Sequence, residues 1–399
     1  MTIALTQSRK TGIIWLLLLL SPLIGMAIDE IAPALPSMTE QLHSNKTLMQ
    51  NLIAFFLLGY GVGNFISGFL TDAFGRRKLM LASLTTALLF CLLPALISNV
   101  SLMLFARFIQ GIAFGSVAVI IRASMADLLD PQELVKMGSL MGAMWGLGPI
   151  IGPIIGGYLQ VYFGWQACFY FLAIATAVLL FLYFVYVPET QIKRSPLKVA
   201  NITTNIVTIA KDKQFIAISI LMGLAYSLIV GFQTVAPFLI EEVMGYSVLH
   251  FSYIAFILGI VFVLSTFINR KLIDRVEFNR LMGINITIAI IAVALALLLG
   301  LLLKNPIYVL TGLSATMFYV CGAIFPLSMG KGISMFRLIA GTAAAIMFLV
   351  NMSITSLNSF ILSMIHLSHA QQLTYMYLTI VILIAIIYGL FIRTAKSTI

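Results

Sequence analysis

Residues 49–71 (MQNLIAFFLLGYGVGNFISGFLT) and 79–98 (LMLASLTTALLFCLLPALIS) are two apolar runs, joined through Gly68-Phe-Leu-Thr-Asp72-Ala-Phe-Gly75-Arg76-Arg77-Lys78. About 20 apolar residues are needed to span a bilayer core, and a lone span satisfies its backbone only as a helix. The stretch therefore reads as helix, basic turn, helix. Further runs occupy 12–35, 102–126, 136–161 and 167–187, then 215–239, 247–269, 281–303, 306–329, 337–364 and 372–392. The expected fold is all-α and integral to a membrane, with twelve transmembrane helices in two six-helix bundles, 1–187 and 215–399. A linker, 188–214, opens with Pro188-Glu189-Thr190 and carries five basic residues. Two halves of equal helix number suggest internal duplication. The sequence echo is faint: after the eighth run only Asp274 and Arg280 keep the spacing of Asp72 and Lys78.

Composition supports the same class. Hydrophobic residues make up 61% of 399 positions, charged residues 9%, and mean hydropathy is +1.09. A soluble domain carries about a quarter charged residues, so this chain cannot keep a whole surface wet. Its formal net charge of +10 invites a nucleic-acid partner, but the placement of charge opposes that. Nineteen of the 23 Lys and Arg residues fall in alternate loops: Arg9 and Lys10; Arg76 to Lys78; Lys136; Lys193 to Lys213; Arg270 to Arg280; Lys331 and Arg337; Arg393 and Lys396. The opposite loops hold only Lys46 and Lys304. The positive-inside rule puts the first set, and both termini, in the cytoplasm. The location implied is the inner (plasma) membrane, with anionic lipid as a partner. The first run is too long for a secretory leader and reads as a retained helix. Cys91, Cys168 and Cys321 lie inside apolar runs without metal spacing, which leaves them as packing residues.

Four motifs are more specific. The Gly68–Lys78 loop is the first; Leu104-x-x-Arg107-x-x-Gln110-Gly111-x-x-x-Gly115 in the fourth run is the second. In the fifth run Gly148-Pro149-x-x-Gly152-Pro153-x-x-Gly156-Gly157 concentrates small residues and prolines, and the first run carries Asp29-Glu30-x-x-Pro33-x-x-Pro36. Small residues let helices approach backbone to backbone, and prolines bend them. Together these motifs resemble the major facilitator superfamily, in particular its twelve-helix drug/proton antiporters and their bicyclomycin-resistance branch. The resemblance implies that Gly68, Asp72, Gly75, Arg76, Arg77 and Lys78 form a charge latch gating the cytoplasmic side. It also implies that Gly148, Pro149, Gly152, Pro153, Gly156 and Gly157 are the antiporter motif.

Asp29 and Glu30 are the acids that fall within the apolar part of a run. An ionisable group there is a functional candidate by default. With the first helix ending at Leu35, Asp29 lies roughly 9 Å below the outer end, and Arg107 roughly 7–8 Å below the same face, at 1.5 Å per residue. The two can meet directly, or through Gln110 and water. Burial raises a carboxyl pKa and a nearby cation lowers it, so Asp29 is expected to carry a proton with Arg107 tuning it. That role requires Asp29 to face a central water-accessible cleft. Glu30 is turned about 100° away; a second site and a contact to a neighbouring helix both remain open for it. Arg122, far along the fourth run, reads as an interfacial anchor. A central pocket is expected among Tyr60, Asn64, Gln110, Phe114, Met141, Met144, Trp145, Tyr226, Gln233 and Tyr319, since Met and aromatic side chains suit an adaptable site.

The function expected is proton-coupled export of small amphipathic compounds by alternating access, from a monomer needing no cofactor beyond the proton gradient. The rival is a carrier of the same fold dedicated to one metabolite, such as a siderophore, sugar or amino acid. No H-E-x-x-H, Gly-x-Ser-x-Gly or Walker phosphate loop is present, which argues against an enzyme and an ATP-driven pump.

Overall fold

The computed structural model describes residues 6–191, 199–273, 275–302, 306–365, 369 and 371–392; within helices, the side chains at 131, 132, 135, 136, 138, 139, 142, 143, 145 and 199–202 fall outside it. The described residues contain helices and no strand. Before the linker run α1 (Gln7–Asp29), α2 (Leu35–Gln41), α3 (Lys46–Phe74), α4 (Arg76–Leu96), α5 (Val100–Leu128), α6 (Pro131–Phe163) and α7 (Gln166–Tyr186). The linker itself holds α8 (Val199–Ala210), a helix that hydropathy alone did not single out. After it come α9 (Lys213–Phe238), α10 (Val248–Leu272), α11 (Phe278–Leu302), α12 (Pro306–Met335), α13 (Ala340–Ser363) and α14 (Gln371–Ile387). Among the described residues, eleven helical stretches are long and apolar enough to cross a membrane.

Caps set where the helices start. Asn45, Asn99, Asp130, Asp212 and Ser247 each accept a hydrogen bond from the backbone N–H three residues on, opening α3, α5, α6, α9 and α10. Such a cap satisfies one of four orphan donors. Inside the bundle, glycines bring α3 and α5 into backbone contact. A methyl group on Gly111 would strike the Phe56 carbonyl, and one on Gly59 the Phe108 carbonyl.

The helices before and after the linker meet tightly at one end and part at the other. At the tight end Gln50 Nε2 donates to the Thr234 carbonyl (2.8 Å), Ser356 Oγ to the Ala54 carbonyl (2.8 Å), and Ser363 Oγ to Asn51 Oδ1 (2.9 Å). Lys46 and Glu242 form an ion pair across the same seam. At the opposite end, which carries Arg270, Lys331 and Arg337, a cavity of about 1160 Å³ opens between the two sets.

The Gly68–Lys78 loop folds against its own half. Arg76 bridges Asp72 Oδ1 (2.5 Å) and Asp127 Oδ2 (3.0 Å). Glu189 accepts the backbone N–H groups of Arg76 (2.9 Å) and Arg77 (3.3 Å), placing a carboxylate on the positive N-terminus of α4. Arg77 donates to the Phe184 carbonyl, and Lys78 stays exposed. Gly75 joins α3 to α4 at φ 94°, ψ 154°, a region closed to residues with a Cβ at a cost of about 1–3 kcal/mol. Gly75→Ala is expected to lower the stability of the purified protein by about that amount. Gly75→Asn should not rescue it, because Asn tolerates only the αL region. Equal thermal midpoints for wild type and Gly75→Ala would show that the turn can rearrange.

Candidate functional site

The first span does not end at Leu35, as the sequence suggested. Pro33 has no N–H to offer the Asp29 carbonyl, so α1 stops at Asp29 and tightens into a 3-10 turn, Ala32–Ala34. Pro36, in the first turn of α2 where proline is tolerated, lets the helix resume to Gln41. Asp29 therefore sits twelve residues below the end of the span, roughly 18 Å at 1.5 Å per residue rather than 9 Å. It lies at the break itself. Asp29 is 1% exposed and Glu30 0%, and among the described residues no carboxylate oxygen of either has a hydrogen-bond partner.

What closes over these acids is the glycine stripe of α6. Gly148, Gly152 and Gly156 recur every four residues, which puts them on one helix face. A methyl group on Gly148 would strike the backbone of Gly25. On Gly152 it would lie 3.3 Å from the Glu30 nitrogen and 3.5 Å from Asp29 Cβ, and on Gly156 it would strike the Glu30 carbonyl. Gly157 faces another way, against Ser252 of α10. Pro149 and Pro153 are buried within an α6 that remains helical. The sequence showed both motifs, but not that one is the lid of the other.

Arg107 reaches α1 without pairing to an acid. Its Nη1 donates to the Ala27 carbonyl (3.1 Å) and to Gln110 Oε1 (2.6 Å), its Nε to the Leu52 carbonyl (3.2 Å), and the guanidinium lies 4.4 Å from the Phe56 ring centre. Gln110 Nε2 passes the chain on to Cys91 Sγ (2.9 Å). Among the described residues Arg107 has no carboxylate within 4.0 Å, so the direct pair allowed by the depth reading is not formed. Both acids still lie in its field.

The cavity lies toward the basic end from this cluster. Ser21 and Ile24 of α1, Tyr60 of α3, Arg122 of α5, Met141 of α6 and Phe325 of α12 are among its lining residues. Asp29 is not among them. The sequence reading asked for a carboxylate facing a water-accessible cleft, and the structure encloses it instead. Of the expected pocket residues, Tyr60 and Met141 line the cavity, and Asn64 holds Arg122. Gln110 serves Arg107; Phe114 packs on Phe56 (6.2 Å between ring centres) and Tyr226 on Phe325 (5.6 Å). Met144 and Tyr319 pack against the core, and Gln233 is fully buried with neither amide atom bonded among the described residues. The side chain of Trp145 lies outside the described residues. Arg122 is the residue the sequence misplaced. It turns inward rather than to the interface, donating to Asn64 Oδ1 (2.7 Å) over the Phe348 ring (4.8 Å).

Comparison with known proteins adds what geometry alone cannot. The chain is 26% identical over 349 residues to Multidrug resistance protein D of Escherichia coli (strain K12), covering 85% of each chain. It is 25% identical over 288 residues to a bicyclomycin resistance protein homolog of Haemophilus influenzae, covering 71% of this chain and 72% of that one. Its fold is that of a D-xylose-proton symporter crystal structure, with a TM-score of 0.76 at 17% identity over 96% of this chain and 97% of that one. The Major Facilitator Superfamily model matches residues 14–358, and with it the chain is a member of that superfamily, a membrane transporter and not an enzyme.

Proposed function

We propose that the chain is a proton-coupled secondary transporter that exports small amphipathic compounds by alternating access, working as a monomer in the inner membrane. In this reading twelve helices cross the bilayer as two bundles, 1–187 and 215–399, joined by 188–214, with both termini cytoplasmic. The observation that carries it is Asp29, a carboxyl group with no hydrogen-bond partner among the described residues, beside Arg107 and beyond the inner end of a large cavity. Because this conformation encloses it, the role requires the cleft to reach Asp29 in another state of the cycle. A buried carboxylate lacking partners is costly, and the general remedy is to take up a proton. The proton would be held while α6 and α1 enclose the group, and exchanged when the bundles rock and admit water. Arg107, fixed by four partners from three helices, supplies a constant field against which that exchange occurs. The drug-resistance names of the relatives support export of amphipathic compounds. The Gly68–Lys78 loop, latched here onto Asp127 of its own half and Glu189 of the linker, would act as the gate on the basic side.

Proteoliposome flux under an imposed pH gradient, run over a compound panel, tests the reading. Asp29→Asn is expected to abolish gradient-driven flux while leaving substrate exchange down its own gradient; undiminished gradient-driven flux would refute the assignment. Gly156→Ala forces a methyl group into the Glu30 carbonyl, and overpacking of this kind costs about 1–3 kcal/mol. Both transport and thermal stability should fall, whereas Gly312→Ala, where a methyl group meets nothing within 4 Å, should change neither. Matching melting curves and flux for the two variants would sink the role given to the stripe.

A further inference from the structure

The cavity has a charge pattern that names a substrate class. Its lining includes four cations, Arg122, Arg270, Lys331 and Arg337, and among the described residues no aspartate or glutamate. Three of the four stand at helix ends on the basic side, where topology alone places such residues. Arg122 does not share that excuse. It sits fifteen residues along α5 from Arg107 and six before the end of the helix, turned into the cavity rather than toward an aqueous surface.

Three other cations pair with carboxylates. Lys10 pairs with Glu133, Lys46 with Glu242, and Arg76 with Asp72 and Asp127. Arg122 has none within 4.0 Å among the described residues. Asn64 takes one of the five N–H donors a guanidinium presents, and the Phe348 ring supports its face. The remaining donors belong to a planar fork suited to an oxygen anion. Around it the cavity wall is apolar, with Phe262, Phe267, Phe325 and Met329 contributing.

We propose that the cavity is an amphipathic-anion site: Arg122 takes a carboxylate or similar oxygen anion, and the aromatic wall takes the apolar body. This rests on the transporter reading above and sharpens it by charge. Arg270, Lys331 and Arg337 raise the local concentration of anions at the mouth. Among the described residues a lipophilic cation finds no counter-charge in the lining, because Asp29 and Glu30 are enclosed beyond it.

Equilibrium dialysis of the full-length protein in uncharged detergent decides it, using naphthaleneacetate, its neutral amide and naphthylethylamine as one size-matched series. The carboxylate should bind on the order of tenfold tighter than the amide, the worth of a charge-assisted contact, and the amine weakest. Arg122→Gln should bring the carboxylate-to-amide ratio to about one, and Arg122→Lys should leave it between. An amine that binds best, or a ratio untouched in Arg122→Gln, overturns the proposal. The three-ligand series on the unaltered chain decides the charge preference even where a variant does not fold. Competition by phosphatidylglycerol, absent with phosphatidylcholine, would make a lipid headgroup the natural source of the same anion; competition by neither assigns it to free amphiphiles. No gradient is applied, so loss of proton coupling and loss of anion preference are separate results.

Discussion

The approach of α6 to α1 is a contact between two backbones, and most of what is distinctive in this protein follows from it. Where Gly156 touches the carbonyl of Glu30, there is no room for side chain or water. The same contact occurs at a proline break, where the Asp29 carbonyl has already lost its helical partner. Two acidic side chains are thus placed in the one stretch of the first span whose own backbone is least satisfied. Small residues in membrane helices commonly serve packing alone. Here the packing shuts two ionisable groups away from solvent, and the chemistry of the site begins with that enclosure.

Two arginines of α5 show how cations survive in this interior. Arg107 lies over Phe56 and donates to the amide of Gln110; Arg122 lies over Phe348 and donates to the amide of Asn64. An aromatic face and an amide oxygen stabilise each guanidinium without neutralising it. What differs is the remaining company. Arg107 spends two further contacts on main-chain carbonyls, leaving Nη2 unbonded, and becomes part of the frame. Arg122 keeps its spare donors toward the cavity.

The fold was legible because lipid permits few solutions: runs of apolar residues, basic loops on alternate sides and glycine motifs fix class and helix positions to within a few residues. The proline pair after Glu30 was readable as an end but is an interruption, since Pro36 falls where a new helix tolerates it. Counting from Leu35 rather than from Gln41 puts six residues, not twelve, between Asp29 and the end of the helical stretch. Axial position follows from counting residues, whereas rotation about a helix axis depends on what the helix packs against. This explains why Arg122 passed for an anchor, and why Phe114, Tyr319 and Gln233 were drawn into a pocket they do not line. A sign of Arg122's role was available in Asn64, an amide in the apolar run of α3, though nothing in the sequence paired them.

The enclosed acids and the open cavity share three helices. The first, α1, gives Ser21 and Ile24 to the cavity and Asp29 to the cluster beyond it; α3 gives Tyr60 to the cavity, and Phe56 and the Leu52 carbonyl to Arg107; α5 carries Arg122 and Arg107. Backbone contact between α3 and α5 leaves no side chain between these helices where they cross. Across the interface lie Tyr226, Phe325 and Phe348, which belong to the other set. Coupling between sites requires an element with two arrangements that both sites bias. A chain of residues running from cavity to carboxyl is therefore unnecessary. In the proposed cycle, a ligand that draws Phe325 and Phe348 toward Arg122 would bias the arrangement that encloses Asp29, because α1, α3 and α5 contribute to both sites.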